Sequence, residues 1–182
     1  DRKIIASCEV ERERMGLPRD VWFVCLHVRE GGYKGDWENI RNADIGNYLV
    51  AIKEITQRGG WVVRLGDPTM TKLPILDQVI DYPFHPGRSA IMDVYLLKEC
   101  SLCISTSSGI LDTAILLGKP VVMTNSVQWN NGVPLRRGDL EIFKHVYSRT
   151  EKRFLSLQEW LMRASNIASE DWSSPYLSLV EN

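Results

Sequence analysis

Apolar runs and helically spaced apolar stripes alternate along this chain. Residues 21–28 are almost continuously apolar, which predicts a strand covered on both faces, as in a parallel sheet. Ile45, Leu49, Ile52 and Ile55 form one stripe at helical spacing, with Asp44 placed to cap the helix and Arg58-Gly59-Gly60 to end it. Short strands follow at 61–65 and 79–82, a helix at 91–97, and a strand at 102–104. A helix at 110–117 ends at Gly118-Lys119-Pro120, before a strand at 121–124. Residues 143–147 read as a short edge strand and 157–168 as a last helix capped by Ser156. Residues 10–15 read as a short exposed helix, followed by a linker turn at 17–20.

Strands alternating with helices predict an α/β fold: a Rossmann-like parallel sheet flanked by helices. The organisation expected is a charged N-terminal helix and linker at 1–20, a Rossmann-like domain at 21–170 and a truncated tail at 171–182. In such a sheet, ligands bind beyond the carboxyl ends of the strands. Four loops with chemical character fall there: residues 29–42, Gly66-Asp67, residues 105–109 and Asn125.

The richest of these is Ser105-Thr106-Ser107-Ser108-Gly109, where a strand gives way to a helix. A helix N-terminus presents unpaired N–H groups and partial positive charge, and small side chains let an anion approach them. One hydroxyl suffices for a helix cap; four before a glycine exceed that need. His27 and Arg29 are two apart at the end of the first strand, so they share a face. Each has an ordinary reading, as a hydrogen-bonded core histidine and as a surface charge. Together, before Gly31-Gly32, they suit an anion site. Asp67 suits a ribose or base contact and equally suits a turn in Gly66-Asp67-Pro68. The long loop at 126–139, with Gln128-Trp129-Asn130-Asn131-Gly132, is of a length often tied to function.

Composition narrows the partners. The chain has 182 residues, enough for one domain with a core. Its 22 basic and 23 acidic residues give a net charge of −1 and no electrostatic case for nucleic acid or anionic membrane. No apolar run approaches the ~20 residues needed to span a bilayer. Cys100 and Cys103 have a CxxC spacing at a helix-to-strand junction, where a thiolate gains no help from a helix N-terminus. Zinc would need two further ligands, so no metal site is assigned. Reduced thiols suit the cytoplasm. The chain begins with Asp1 rather than methionine, as an excised piece of a longer protein would.

Residues 25–30 (CLHVRE), 41–45 (RNADI), 59–67 (GGWVVRLGD) and 106–109 (TSSG) resemble an uncharacterised bacterial glycosyltransferase family, sometimes fused to tetratricopeptide repeats. The resemblance covers roughly residues 15–165. It extends more distantly to the donor half of α-1,6-fucosyltransferases and nodulation fucosyltransferases, with His27 and Arg29, Asp67, and Ser107 and Ser108 at the matching motif positions. It implies the C-terminal, nucleotide-sugar-binding half of a GT-B glycosyltransferase working in carbohydrate biosynthesis. It implies a nucleotide-diphosphate sugar as donor substrate, a GDP-sugar being weakly favoured, and neither metal nor cofactor. By the same resemblance Arg29 holds the diphosphate, His27 meets the sugar or phosphate, and Asp67 meets the base or ribose. Arg41 and Asn42 become donor contacts, with Gly66, Ser105, Thr106, Gly109 and Asn125 around them. The ribose-binding Glu often found after the Ser-Gly loop is absent; Asp112-Thr113 stands in that region. The acceptor is an unknown glycan or protein, and an N-terminal acceptor domain of the same parent chain is needed for activity. Two other readings remain open: half of a sugar-nucleotide epimerase, with His27 and His85 as partial acid/base groups, and a non-catalytic α/β binding module.

Overall fold

The structure is a computed structural model that describes residues 2–32, 40–126, 136–164 and 177–180. Residues 33–39, the Gln128–Gly132 stretch, the expected helical residues 165–168 and most of the tail lie outside the described residues.

Six strands form one parallel sheet: β1 (Phe23–His27), β2 (Trp61–Arg64), β3 (Val79–Asp81), β4 (Leu102–Thr106), β5 (Val121–Ser126) and β6 (Leu140–Phe143). Their spatial order is β3-β2-β1-β4-β5-β6, that of a doubly wound α/β sheet. The chain steps outward from β1 to β3, then returns to place β4 on the other side of β1. Cys25 is in register with Cys103, and His27 with Ser105. The reversal of winding leaves a crevice beyond the carboxyl ends of β1 and β4.

Helices cover both faces, which is why β1 is buried at all five positions and reads as an unbroken apolar run. On one face Phe23, Cys25, Val63 and Leu65 pack with residues of α1 (Arg2–Arg14), α3 (Ala90–Glu99) and α4 (Gly109–Leu116). On the other, Leu26, Val28 and Val62 pack with Ile45, Tyr48 and Ile52, from a 3₁₀ turn (Ile45–Tyr48) and α2 (Leu49–Gln57). Alternate β1 residues therefore belong to opposite cores, and His27 falls on the side of α3 and α4.

Several boundaries differ from the sequence expectation. α1 is a 13-residue helix, longer than the short exposed one predicted. It packs against the sheet through Cys8. Cys8 is buried, and Arg12 stacks over Phe23 at 5.4 Å while its guanidinium donates to the Pro18 carbonyl at 2.6 Å. Asp44 does cap the next element, accepting from the Gly46 amide at 2.7 Å. The first turn is 3₁₀, however, and its tighter winding turns Tyr48 inward and leaves Leu49 at the surface. The single edge strand expected at 143–147 is two strands. β6 ends at Phe143, Lys144 intervenes, and β7 (His145–Ser148) pairs antiparallel with β8 (Arg153–Phe154) and β9 (Leu177–Val180) in a second sheet. The segment read as tail thus supplies β9. The last helix, α5, is described over Leu157–Ala164. Its start is a reciprocal capping box: the Glu159 amide donates to Ser156 Oγ, and the Ser156 amide donates to the Glu159 carboxylate. No helix among the described residues is long and apolar enough to cross a membrane.

Candidate functional site

The crevice between β1 and β4 opens into a cavity of about 460 Å³. Its floor is the carboxyl edge of the sheet, with His27, Arg29 and Glu30 after β1 and Gly66 and Asp67 after β2. One wall is the N-terminus of α4, with Ser108, Gly109 and Ile110; the other is α3, with Ala90, Asp93, Val94 and Leu97. Met70, Arg88 and Thr113 complete the lining. Of the residues singled out in the sequence, His27, Arg29, Gly66, Asp67, Ser108 and Gly109 meet here.

The serine-rich loop does something other than cap its helix. Ser108 sits at the N-cap with extended backbone and makes no side-chain capping bond. Its hydroxyl lies 3.1 Å from His27 Nδ1. Ser105, fully buried, is 3.3 Å from the same nitrogen and donates to the Thr106 carbonyl at 2.8 Å. Thr106 Oγ1 accepts from the Arg29 amide at 2.9 Å. Three of the four hydroxyls thus fix the chain after β1 to the chain after β4. The positive end of α4 faces the cavity through its backbone, at a glycine where an added Cβ would meet nothing within 4 Å.

Burial, then the charges of Arg64 and Arg29, push the His27 pKa down to about 4, against a smaller opposing pull from Asp67. The ring is neutral at neutral pH. The sign of the linkage follows: the unfolded chain takes up a proton near pH 6.5 and the folded one only near 4. Stability attributable to His27 is whole above pH 6.5 and falls by about 3 kcal/mol as pH drops to 4. Asp93, whose pKa burial raises, acts in the opposite sense as its carboxyl protonates. Urea unfolding of wild type and His27→Asn across this range isolates the histidine. The expected result is a wild-type curve that falls more steeply below pH 6.5; parallel curves would refute it.

Gly66 is at φ +148°, a conformation open essentially to glycine alone, and a Cβ there would run into the Met70 thioether. Gly66→Ala is expected to cost roughly 1–3 kcal/mol and to displace Met70 from the cavity wall. A thermal melt within a degree of wild type would contradict this. Asp67 Oδ1 accepts from the Thr69 amide at 2.9 Å and from its hydroxyl at 2.5 Å, so its turn-forming reading holds while its residue still lines the cavity.

Other residues from the sequence analysis lie off the cavity lining. Asn125 has φ +51° and donates from Nδ2 to the Tyr48 hydroxyl at 2.8 Å, on the α2 side of the sheet. The Asn42 carbonyl accepts from Lys144 Nζ at 2.6 Å, beside Arg41 and the core that holds Ala43. Asp112 is exposed on α4, and Ser107 and Asp112 are not among the lining residues. Sequence reasoning missed Arg88 and Asp93. Asp93 has a buried carboxylate oxygen with no partner among the described residues, and burial raises its pKa. An acid inside the apolar stretch at 91–97 was the available signal.

No family model matches the chain, and no curated protein does. Among solved structures it is similar to a glycosyl transferase family 9 protein from Veillonella parvula, with 17% identity and a TM-score of 0.45, over 66% of this chain and 34% of that one. It is also similar to the UDP-GlcNAc 2-epimerase of Neisseria meningitidis in a structure bound to UDP-GlcNAc, with 12% identity and a TM-score of 0.40, over 71% of this chain and 37% of that one. The chain thus spans about a third of the length of each.

Proposed function

We propose that this chain is the donor-binding half of a GT-B glycosyltransferase, holding a nucleotide-diphosphate sugar in the crevice between β1 and β4. The observation that carries the reading is the meeting of Arg29 with an N-terminus of α4 whose Ser108 side chain makes no capping bond, across one cavity at the winding reversal. That combination suits a diphosphate. Arg29 offers a permanent, forked charge, and the α4 amides offer donors to further oxygens. When a glycosidic bond to the donor breaks, negative charge grows on the departing diphosphate; groups already aimed at it stabilise that charge without reorganising. Arg88 adds a second cation at the rim. Asp93, on the α3 wall, brings to the cavity a carboxyl group able to accept from ribose hydroxyls or a base N–H. Metal-independent transfer, a GDP-sugar donor, an acceptor half on the same parent chain, an unknown acceptor and a cytoplasmic location belong to this proposal.

The test is calorimetric titration of the chain with GDP, UDP, CMP and their sugar conjugates. Saturable binding of one nucleoside diphosphate, tighter than the matching monophosphate, is expected. A folded sample that binds none of them, alone or joined to an acceptor half, overturns the reading.

A further inference from the structure

The contacts around His27 fix where its proton sits. Ser108 Oγ lies 3.1 Å from His27 Nδ1, Ser105 Oγ lies 3.3 Å from the same nitrogen, and the two hydroxyl oxygens are 3.3 Å apart. A hydroxyl has one proton. That of Ser105 is committed to the Thr106 carbonyl at 2.8 Å, a group that only accepts. Ser105 Oγ can therefore only receive from its other two neighbours. If Ser108 donates to Ser105, the contacts of the ring with both serines require a proton on Nδ1, and that single N–H is shared between the Ser108 and Ser105 oxygens.

The opposite tautomer fails this accounting. With Nδ1 bare, Ser108 must turn its proton to the ring. The contacts from Ser105 to Ser108 and from Ser105 to His27 are then left with lone pairs facing lone pairs. Ser105 is fully buried and His27 is 7% exposed, so water does not repair the loss. The ring is neutral near pH 7, so only one of its nitrogens carries a proton. His27 Nε2 has no protein partner among the described residues, while the residue lines the cavity.

We propose that Ser105 and Ser108 lock His27 as its Nδ1–H tautomer, so that Nε2 presents a lone pair to the cavity and selects a hydroxyl or N–H of the bound nucleotide sugar rather than a phosphate oxygen. The inference rests on the donor-domain reading for its ligand but not for its tautomer. At neutral pH a diphosphate offers mainly lone pairs, which a bare Nε2 repels. His27 therefore divides the cavity. Phosphate belongs near Arg29 and the α4 amides, and a hydrogen-bond donor of the ligand belongs over the histidine ring. The serine hydroxyls act through His27, as positioning groups rather than phosphate donors.

Two measurements decide this. Long-range nitrogen–proton NMR of the His27 ring in the whole chain at pH 7 needs no ligand. A protonated Nδ1 with a bare Nε2 is expected; the reverse assignment overturns the proposal. Ser105→Ala with Ser108→Ala is expected to release the ring to a tautomer mixture, and an unchanged spectrum would deny the serines their part. Titration of His27→Asn, which keeps a donor toward the serines but has nothing in place of Nε2, is run against a GDP-sugar and against inorganic pyrophosphate. Affinity for the GDP-sugar is expected to fall at least tenfold more than affinity for pyrophosphate. Equal losses overturn the ligand assignment. A wild-type chain that binds neither these probes nor the UDP and CMP conjugates, alone or joined to an acceptor half, refutes the donor reading, while the NMR result still decides the tautomer.

Discussion

Arg64→Ala is expected to cost about 3–5 kcal/mol of folding stability, the largest loss predicted for any single side chain here. Arg64 lies on β2 with no exposed surface. Its guanidinium meets Glu30 at 2.6 Å, Asp81 at 3.0 Å and the Thr71 carbonyl at 2.5 Å. The two carboxylates are themselves only 13% and 21% exposed. Each reaches further: Glu30 accepts from the Thr71 amide at 2.7 Å and Asp81 from the Leu73 amide at 2.9 Å. One cation thus ties together the ends of β1, β2 and β3. Removing it leaves two carboxylates without their shared counter-charge in a poorly solvated place, which costs more than the intact network contributes. Lysine is no substitute, since a single ammonium does not reproduce the fork.

Equilibrium urea unfolding measures the effect. A loss under 1 kcal/mol would show that the network is not what holds these loops. Neutralising all three partners, with Arg64→Met, Glu30→Gln and Asp81→Asn together, is expected to recover part of the stability lost by Arg64→Ala, because no charge is then stranded.

Arg29→Ala is expected to separate binding from folding. Affinity for the nucleoside diphosphate should fall by about 10- to 150-fold, the equivalent of the 1.5–3 kcal/mol typical of a hydrogen bond to a charged group. The backbone of residue 29 is held independently of its side chain. Its amide donates to Thr106 Oγ1 at 2.9 Å, and its carbonyl accepts from the Ala43 amide at 2.8 Å. Alanine keeps both bonds. Arg29→Lys should restore charge without the fork and recover only part of the affinity. Calorimetric titration with paired melts reads both quantities. Unchanged affinity in Arg29→Ala would remove the cation from the site, and a fall in melting temperature matching the loss of binding would recast Arg29 as structural.

The expectations that concerned one stretch of chain at a time fared differently from those that concerned its surroundings. The pairing of His27 with Arg29 was legible because strand periodicity puts them on one face, and both do line the cavity. Gly66 was legible as a loop residue at a strand end. Arg64 was not legible as a buried charge. In sequence it is one polar residue closing a strand, and its partners lie 34 and 17 positions away. Asp93 and Arg88 stayed hidden for the same reason: nothing in the spacing of α3, or in the turn before it, says which residues overlook the end of β1. The hydroxyls of residues 105–108 were read as donors for a ligand, yet the protons and lone pairs of Ser105, Thr106 and Ser108 are largely taken up by His27, Arg29 and one another.

The sequence by itself determined the alternation of buried strands and helices, the parallel sheet and the order of the loops at its carboxyl edge. Those follow from local periodicity, helix stops and glycine positions, which act over a few residues. Tertiary structure alone decided which loops share a cavity. The sheet has two faces, and connections that pass over opposite faces send neighbouring loops to opposite sides. Residues after β1, β2 and β4 meet under α3 and α4, while Asn125 turns to Tyr48 beside α2. Register, winding reversal and the partners of buried charges depend on contacts between distant segments, and no local pattern encodes them.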